Sequence, residues 1–185
     1  MGQYYQAVVL PPLSANKSEI IAAYDPNKYS NGAKLMEHSW KENNFVQTVE
    51  SFFMPGEKFH KFRLVWAGDY ADPEDGSKDN LYDMSMQKIE TTPNRKVKKE
   101  FRYIVNHSKK LYVDKCKMAK DKDGWVVHPL PILTCDGNGR GGGDYHPQTP
   151  QEAELVGSWA RDIISVEKTP PTGFSEVNIS VIKPC

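Results

Sequence analysis

The densest group of residues able to do chemistry lies between Asp136 and Asp144. There Asp136-Gly137-Asn138-Gly139-Arg140-Gly141-Gly142-Gly143-Asp144 holds five glycines in nine positions. Glycine at this density costs chain entropy on folding, and one compensating use is close approach of backbone N–H groups to an anion beside a helix N-terminus. The helix start follows in sequence: Thr149 at N-cap, Pro150 at N1 and Glu152 at N3 form a capping box. Arg140 adds a guanidinium fork suited to phosphate or carboxylate. The reading that follows is a polar-ligand site built from Asp136, Gly137, Asn138, Gly139, Arg140, Gly141, Asp144 and Tyr145, with Trp66, Asp69, Tyr70 and His38 beside it. The competing reading of the loop is a tight structural turn.

Other groupings give rival chemistries. Asp69, Asp72, Asp144 and His146 are oxygen and imidazole donors that, if they converged, would suit a divalent metal and a hydrolase or nuclease reaction with His38 as acid or base. Gly137-x-Gly139-x-x-Gly142 matches the dinucleotide spacing, but the helix begins too late and no βαβ context surrounds it. No Gly-Lys-Ser/Thr is present for a phosphate loop, and no cofactor is expected. No spacing supports a Ser/His/Asp or Cys/His triad. Trp66-Ala67-Gly68-Asp69 and Trp159-Ala160-Arg161-Asp162 read as paired core anchors, each with an aspartate closing a turn. Cys135 reads as a buried, inert thiol.

Charge is balanced overall, 24 Lys+Arg against 24 Asp+Glu, but unevenly placed. Asn94 to Lys122 carries 11 basic against 3 acidic residues, a net of +8, while Asp69–Glu90 and Asp123–Glu167 each carry 2 against 7, a net of −5. Solvated charges that partly neutralise one another account for such a pattern. A basic patch for nucleic acid, with Phe101, Tyr103 and Tyr112 to stack bases, is the alternative, weakened by a sequence pI near 7.0.

The positioning elements are short. Tyr4 to Leu10 is a strand stopped by Pro11-Pro12, and Ser18–Tyr24 is a short strand or a helical turn. Leu35–Trp40 is a helical turn. Asn44–Met54 is the best helix, with Phe45, Val49, Phe52 and Phe53 on one face. Phe62–Ala67 reads as a buried strand, Asp69–Glu90 as an acidic surface loop, and Thr91–Lys99 as a polar connection. Phe101–Asp114 is a hairpin with Phe101, Tyr103 and Val105 toward the core. A second strand pair is expected at Gly124–Val127 and Leu130–Cys135, and strands at Ile163–Glu167 and Val177–Ile182. This pattern predicts one α+β domain over residues 1–185, a mainly antiparallel sheet with two or three short helices.

Three cysteines with no Cys-x-x-Cys pair give neither a disulfide framework nor a zinc knuckle, and point to a reducing, cytoplasmic setting. No apolar run approaches a membrane span and no signal peptide is seen, so no membrane partner is expected. The Met1-Gly2 start lacks the Ser or Thr that myristoylation wants, since position 6 is Gln6. The partner expected is a small polar ligand or another protein, taken up without catalysis, with nucleic acid as the lesser alternative.

Met1-Gly2-Gln3-Tyr4-Tyr5, Lys34-Leu35-Met36-Glu37-His38-Ser39, the run Val65 to Asp72, Val105-Asn106-His107, His128-Pro129-Leu130-Pro131 and the Gly137–Tyr145 loop resemble a family of small bacterial and phage-encoded proteins. The resemblance covers most of the chain. It implies a bacterial or phage setting and carries no activity or residue role.

Overall fold

In the computed structural model, residues 2–13, 18–137 and 144–184 are described. Strand β1 (Tyr5–Leu10) is buried at all six positions and pairs antiparallel with both β2 (Ala22–Tyr24) and β3 (Phe62–Gly68). Because both faces are covered, these strands read as nearly continuous apolar runs rather than alternating ones. Tyr5, Ala7 and Val9 join Leu64 and Trp66 in the main core, while Val8 and Leu10 join Val65, Ala67 and Leu81 in a smaller core on the opposite face.

The sheet order is β2-β1-β3-β7-β4-β5-β8, with β4 (Tyr103–Asn106), β5 (Leu111–Asp114), β7 (Ile163–Glu167) and β8 (Ser175–Glu176). The second edge of β3 is shared. β7 pairs it antiparallel at Phe62 and Arg63, and β6 (Cys135–Asp136) pairs it parallel at Trp66 and Ala67. The two neighbours diverge around the turn at 157–161. Gly157 (φ +69°) belongs there, because a Cβ would lie 2.5 Å from the Cys135 carbonyl oxygen.

Five short helices pack on this sheet among the described residues: α1 (Leu35–His38), α2 (Asn44–Ser51), α3 (Leu81–Ser85), α4 (Pro129–Thr134) and α5 (Pro150–Leu155). The α2 start follows from Asn43, whose side-chain oxygen accepts from the N–H groups of Phe45 and Val46. Its apolar face puts Phe45, Val46 and Val49 into the main core, continued by Phe52 and Phe53 in the turn beyond. Each such side chain contributes about 1.5–3 kcal/mol when fully buried. The fold is the α+β, mainly antiparallel arrangement expected from the sequence.

Four local expectations are corrected. The 69–90 segment contains α3 and a 3-10 turn (Met86–Lys88), because Asn80 caps α3 by accepting from Asp83 N–H and Leu81 fills the smaller core. Leu130–Cys135 is mostly helix, not strand: His128 caps it, Pro129 takes N1, and its burial on every side erases the periodicity that separates helix from strand. On the hairpin, Ile104 pairs with Val113 on the main-core face, so Tyr103 and Val105 lie on the other face. Val177–Ile182 is a 3-10 turn (Ile179–Val181) capped by Asn178, and β8 precedes it.

Candidate functional site

Of the side chains picked from sequence, those described lie around one end of β3, and most of them are already occupied. Trp66 and His38 are fully buried and bonded to each other. Trp66 Nε1–H donates to His38 Nε2 (2.9 Å), and His38 Nδ1 faces the Gly32 carbonyl at 2.9 Å. Both ring nitrogens are therefore committed, and burial pushes the imidazole down to about 4. Neither residue can touch a ligand, and His38 is no acid or base. This corrects both assignments. Tyr145 is buried too, its hydroxyl donating to Glu152 and to the Lys183 carbonyl. Asp69 accepts from Tyr4 N–H (2.9 Å), Asp144 from Met36 N–H (3.0 Å), and Asp136 from Arg161, which also forks onto Glu74. Tyr70 is exposed, and Gly137 is buried. Asn138, Gly139, Arg140 and Gly141 lie outside the described residues.

Sequence reasoning missed two residues here. Tyr5 hydroxyl donates to Gln3 Oε1 (2.9 Å), and burial raises the tyrosine, with Cys135, Asp144, Asp69 and Asp136 adding to the rise. Gln3 Nε2 is buried and has no hydrogen-bond partner among the described residues. Among the described residues no group of three or more His, Cys, Asp or Glu is placed to hold a metal, and Asp72 and His146 are exposed. Cys135 behaves as expected: burial pushes its thiol up to about 12. Trp66 and Trp159 are core anchors.

The cavity lies elsewhere, over α2, with a volume of about 590 Å³. One wall is the extended stretch 90–99, held to α2 by side chains. Arg95 N–H donates to Thr48 Oγ1 (2.9 Å), Val97 N–H to Gln47 Oε1 (3.3 Å), and Arg95 pairs with Glu57 (2.7 Å) while lying over the Phe52 ring. Arg95 and Val97 are half-buried while Lys96 and Lys98 stay exposed at the edge of the cleft, the alternation expected of an extended chain. The facing wall is set by Lys41 N–H to the Val126 carbonyl (2.9 Å) and His128 N–H to the Ser39 carbonyl (2.9 Å). Apolar side chains, Phe101, Met118 and Val126 among them, line it between the cations.

Its floor is a buried carboxylate. Glu50 bonds Lys115 Nζ through one oxygen and His128 Nε2 through the other (3.1 Å). Leu130 N–H donates to His128 Nδ1 (3.2 Å), which puts the ring proton on Nε2, facing Glu50. Burial alone would push the Glu50 carboxyl up, but Lys115 first and His128 second hold it down at about 2. Arg102 forks onto Asp114 at the side. Lys41, Lys96, Lys98 and Lys99 also line the cleft, and among the described residues none of these four has a carboxylate within ion-pair reach.

No protein-family model, no curated protein and no solved structure matches this chain. The cleft was invisible as a site because Glu50 lies 65 residues from Lys115 and 78 from His128. The one available signal was the basic 94–122 segment. Five of its eleven cations are internally paired, Arg95, Arg102, Lys109, Lys115 and Lys117, and three of the other six line the cleft. Among the described residues no helix is long and apolar enough to cross a membrane.

Proposed function

We propose that this chain is a non-enzymatic binding module whose site is the basic cleft over Glu50, and that its ligand is a small anion. The observation that carries the reading is the set Lys41, Lys96, Lys98 and Lys99 lining a cavity with, among the described residues, no carboxylate within ion-pair reach. Charges brought together in this way repel one another, and an anion relieves the repulsion. The cavity falls within the range of small-molecule sites, about 300–1,000 Å³. Glu50, Lys115 and His128 satisfy one another on the floor, which supports a holding role over a catalytic one. A bacterial or phage setting is the biological context proposed with it.

The test is thermal shift and calorimetry with a panel of inorganic and organic anions, for the native chain and for Lys96→Glu/Lys98→Glu. The native chain gains stability with at least one anion, the gain fades as salt rises, and the variant loses it. If no anion stabilises the native chain at low salt, the reading is wrong.

A further inference from the structure

Resting on that anion-binding reading, we infer that the cleft takes an organic diphosphate ester, a phosphoanhydride joined to a flat or apolar group, as in a nucleoside diphosphate. Three observations point there, each concerning a different property of the ligand.

The first is the kind of cation. Where a fork meets a carboxylate in this chain, arginine supplies it, Arg102 on Asp114 and Arg161 on Glu74 and Asp136, while single lysines answer Glu50, Asp162 and Glu176. The four cations left unanswered in the cleft are all lysines. Lysine is a compact point charge with rotatable donors, so several lysines can reach the oxygens of phosphoryl groups from different directions.

The second is the amount of charge. Lys115 and Arg102 are neutralised by Glu50 and Asp114, so four lysines face the ligand, with Glu42 at the rim offsetting one. A diphosphate ester has three ionisable oxygens and carries roughly three negative charges near neutral pH, which matches this excess. Lys96 and Lys98 project from one extended wall and Lys41 stands on the other, so the anion is held across the cleft rather than along one edge.

The third is what lies between the cations. Phe101 and Val97 are half-buried, Met118 and Val126 keep only a small part of their surface open, and all four line the cavity. An inorganic ion leaves these side chains wet, whereas an ester with a flat or apolar group covers them.

The experiment is calorimetry on the full chain at low salt with four probes: adenosine diphosphate, pyrophosphate, citrate and a single-stranded oligodeoxynucleotide. The diphosphate ester is expected to bind about tenfold tighter than pyrophosphate, the equivalent of burying about two methylene groups. Pyrophosphate is expected to bind tighter than citrate. Phe101→Ala should erase the ester's advantage while leaving pyrophosphate binding in place, and Lys98→Glu/Lys99→Glu should weaken both. Citrate binding as well as or better than pyrophosphate overturns the inference and leaves the anion reading standing. Oligonucleotide affinity that exceeds the ester's and grows with length overturns it in favour of a polymer. Failure of all four probes to bind removes both the inference and the reading beneath it.

Discussion

Two regions of this molecule gather charge around a buried ionisable group, and they differ in how that charge is answered. At the carboxylate end of β3, Asp69, Asp136 and Asp144 surround Tyr5, and each accepts from an internal donor: a backbone N–H, the Arg161 guanidinium, or another backbone N–H. Over α2 the buried Glu50 is equally well satisfied, but four lysines of the cleft above it have no carboxylate partner among the described residues. The first region holds the more conspicuous sequence and the second holds the open valence. Unanswered charge facing a cavity is a better pointer to a site than density of reactive residue types.

Removing the anion from each region is the strongest way to test this contrast. Glu50→Ala leaves Lys115 and His128 without their buried partner and is expected to cost roughly 3–5 kcal/mol in denaturant unfolding. Asp69→Ala frees only one backbone N–H beside solvent and should cost about 1 kcal/mol. Equal losses would break the contrast.

Acid provides a second test, with a sign fixed by burial. His38 has its folded value depressed from 6.5 to about 4, so below pH 6.5 the unfolded chain binds the proton and the folded chain does not. Stability therefore falls as pH drops from 6.5 to 4, by up to roughly 3 kcal/mol for this one group. Glu50, depressed to about 2 from 4.5, adds a further loss as pH falls from 4.5 toward 2. In a pH series of unfolding free energies, His38→Gln should flatten the upper window and leave the lower one sloping.

Removing cations gives a smaller effect and the cleanest separation. Arg161→Met strips the partner from the buried Glu74 and from Asp136, and about 2 kcal/mol should be lost. Lys96→Met touches no carboxylate and should move the midpoint by less than about 0.5 kcal/mol. A comparably small effect, under about 1 kcal/mol, is expected at Gln3→Met, where losing the Tyr5 hydrogen bond is offset by removing a buried amide that has no partner among the described residues.

Where sequence and structure agree, the signal was local. Asn43 ahead of the Phe45–Val49 stripe marks α2, and Thr149-Pro150 with Glu152 marks α5; β7 spans Ile163–Glu167 as read. The capping carboxylate of Glu152 differs in one detail, accepting from Gln148 N–H. Where they disagree, tertiary burial had removed the local signal. The run Pro129–Thr134 is apolar on every side, so nothing in it distinguished a helix from a strand. The site is the extreme case, since three elements distant in sequence make its floor. A run of lysines on its own does not reveal which of them the fold will neutralise.

The stretch 90–99 meets α2 mainly through side-chain acceptors, Thr48 and Gln47, rather than through a backbone ladder. Detaching residues 95–99 breaks the Arg95 and Val97 hydrogen bonds to α2 side chains, the Arg95–Glu57 pair and the packing of Val97, but no strand pairing. The amides of this stretch should exchange with solvent deuterium well before those of the β4–β5 hairpin it leads into, through an opening that leaves the sheet intact. A captured guest would be expected to slow that exchange.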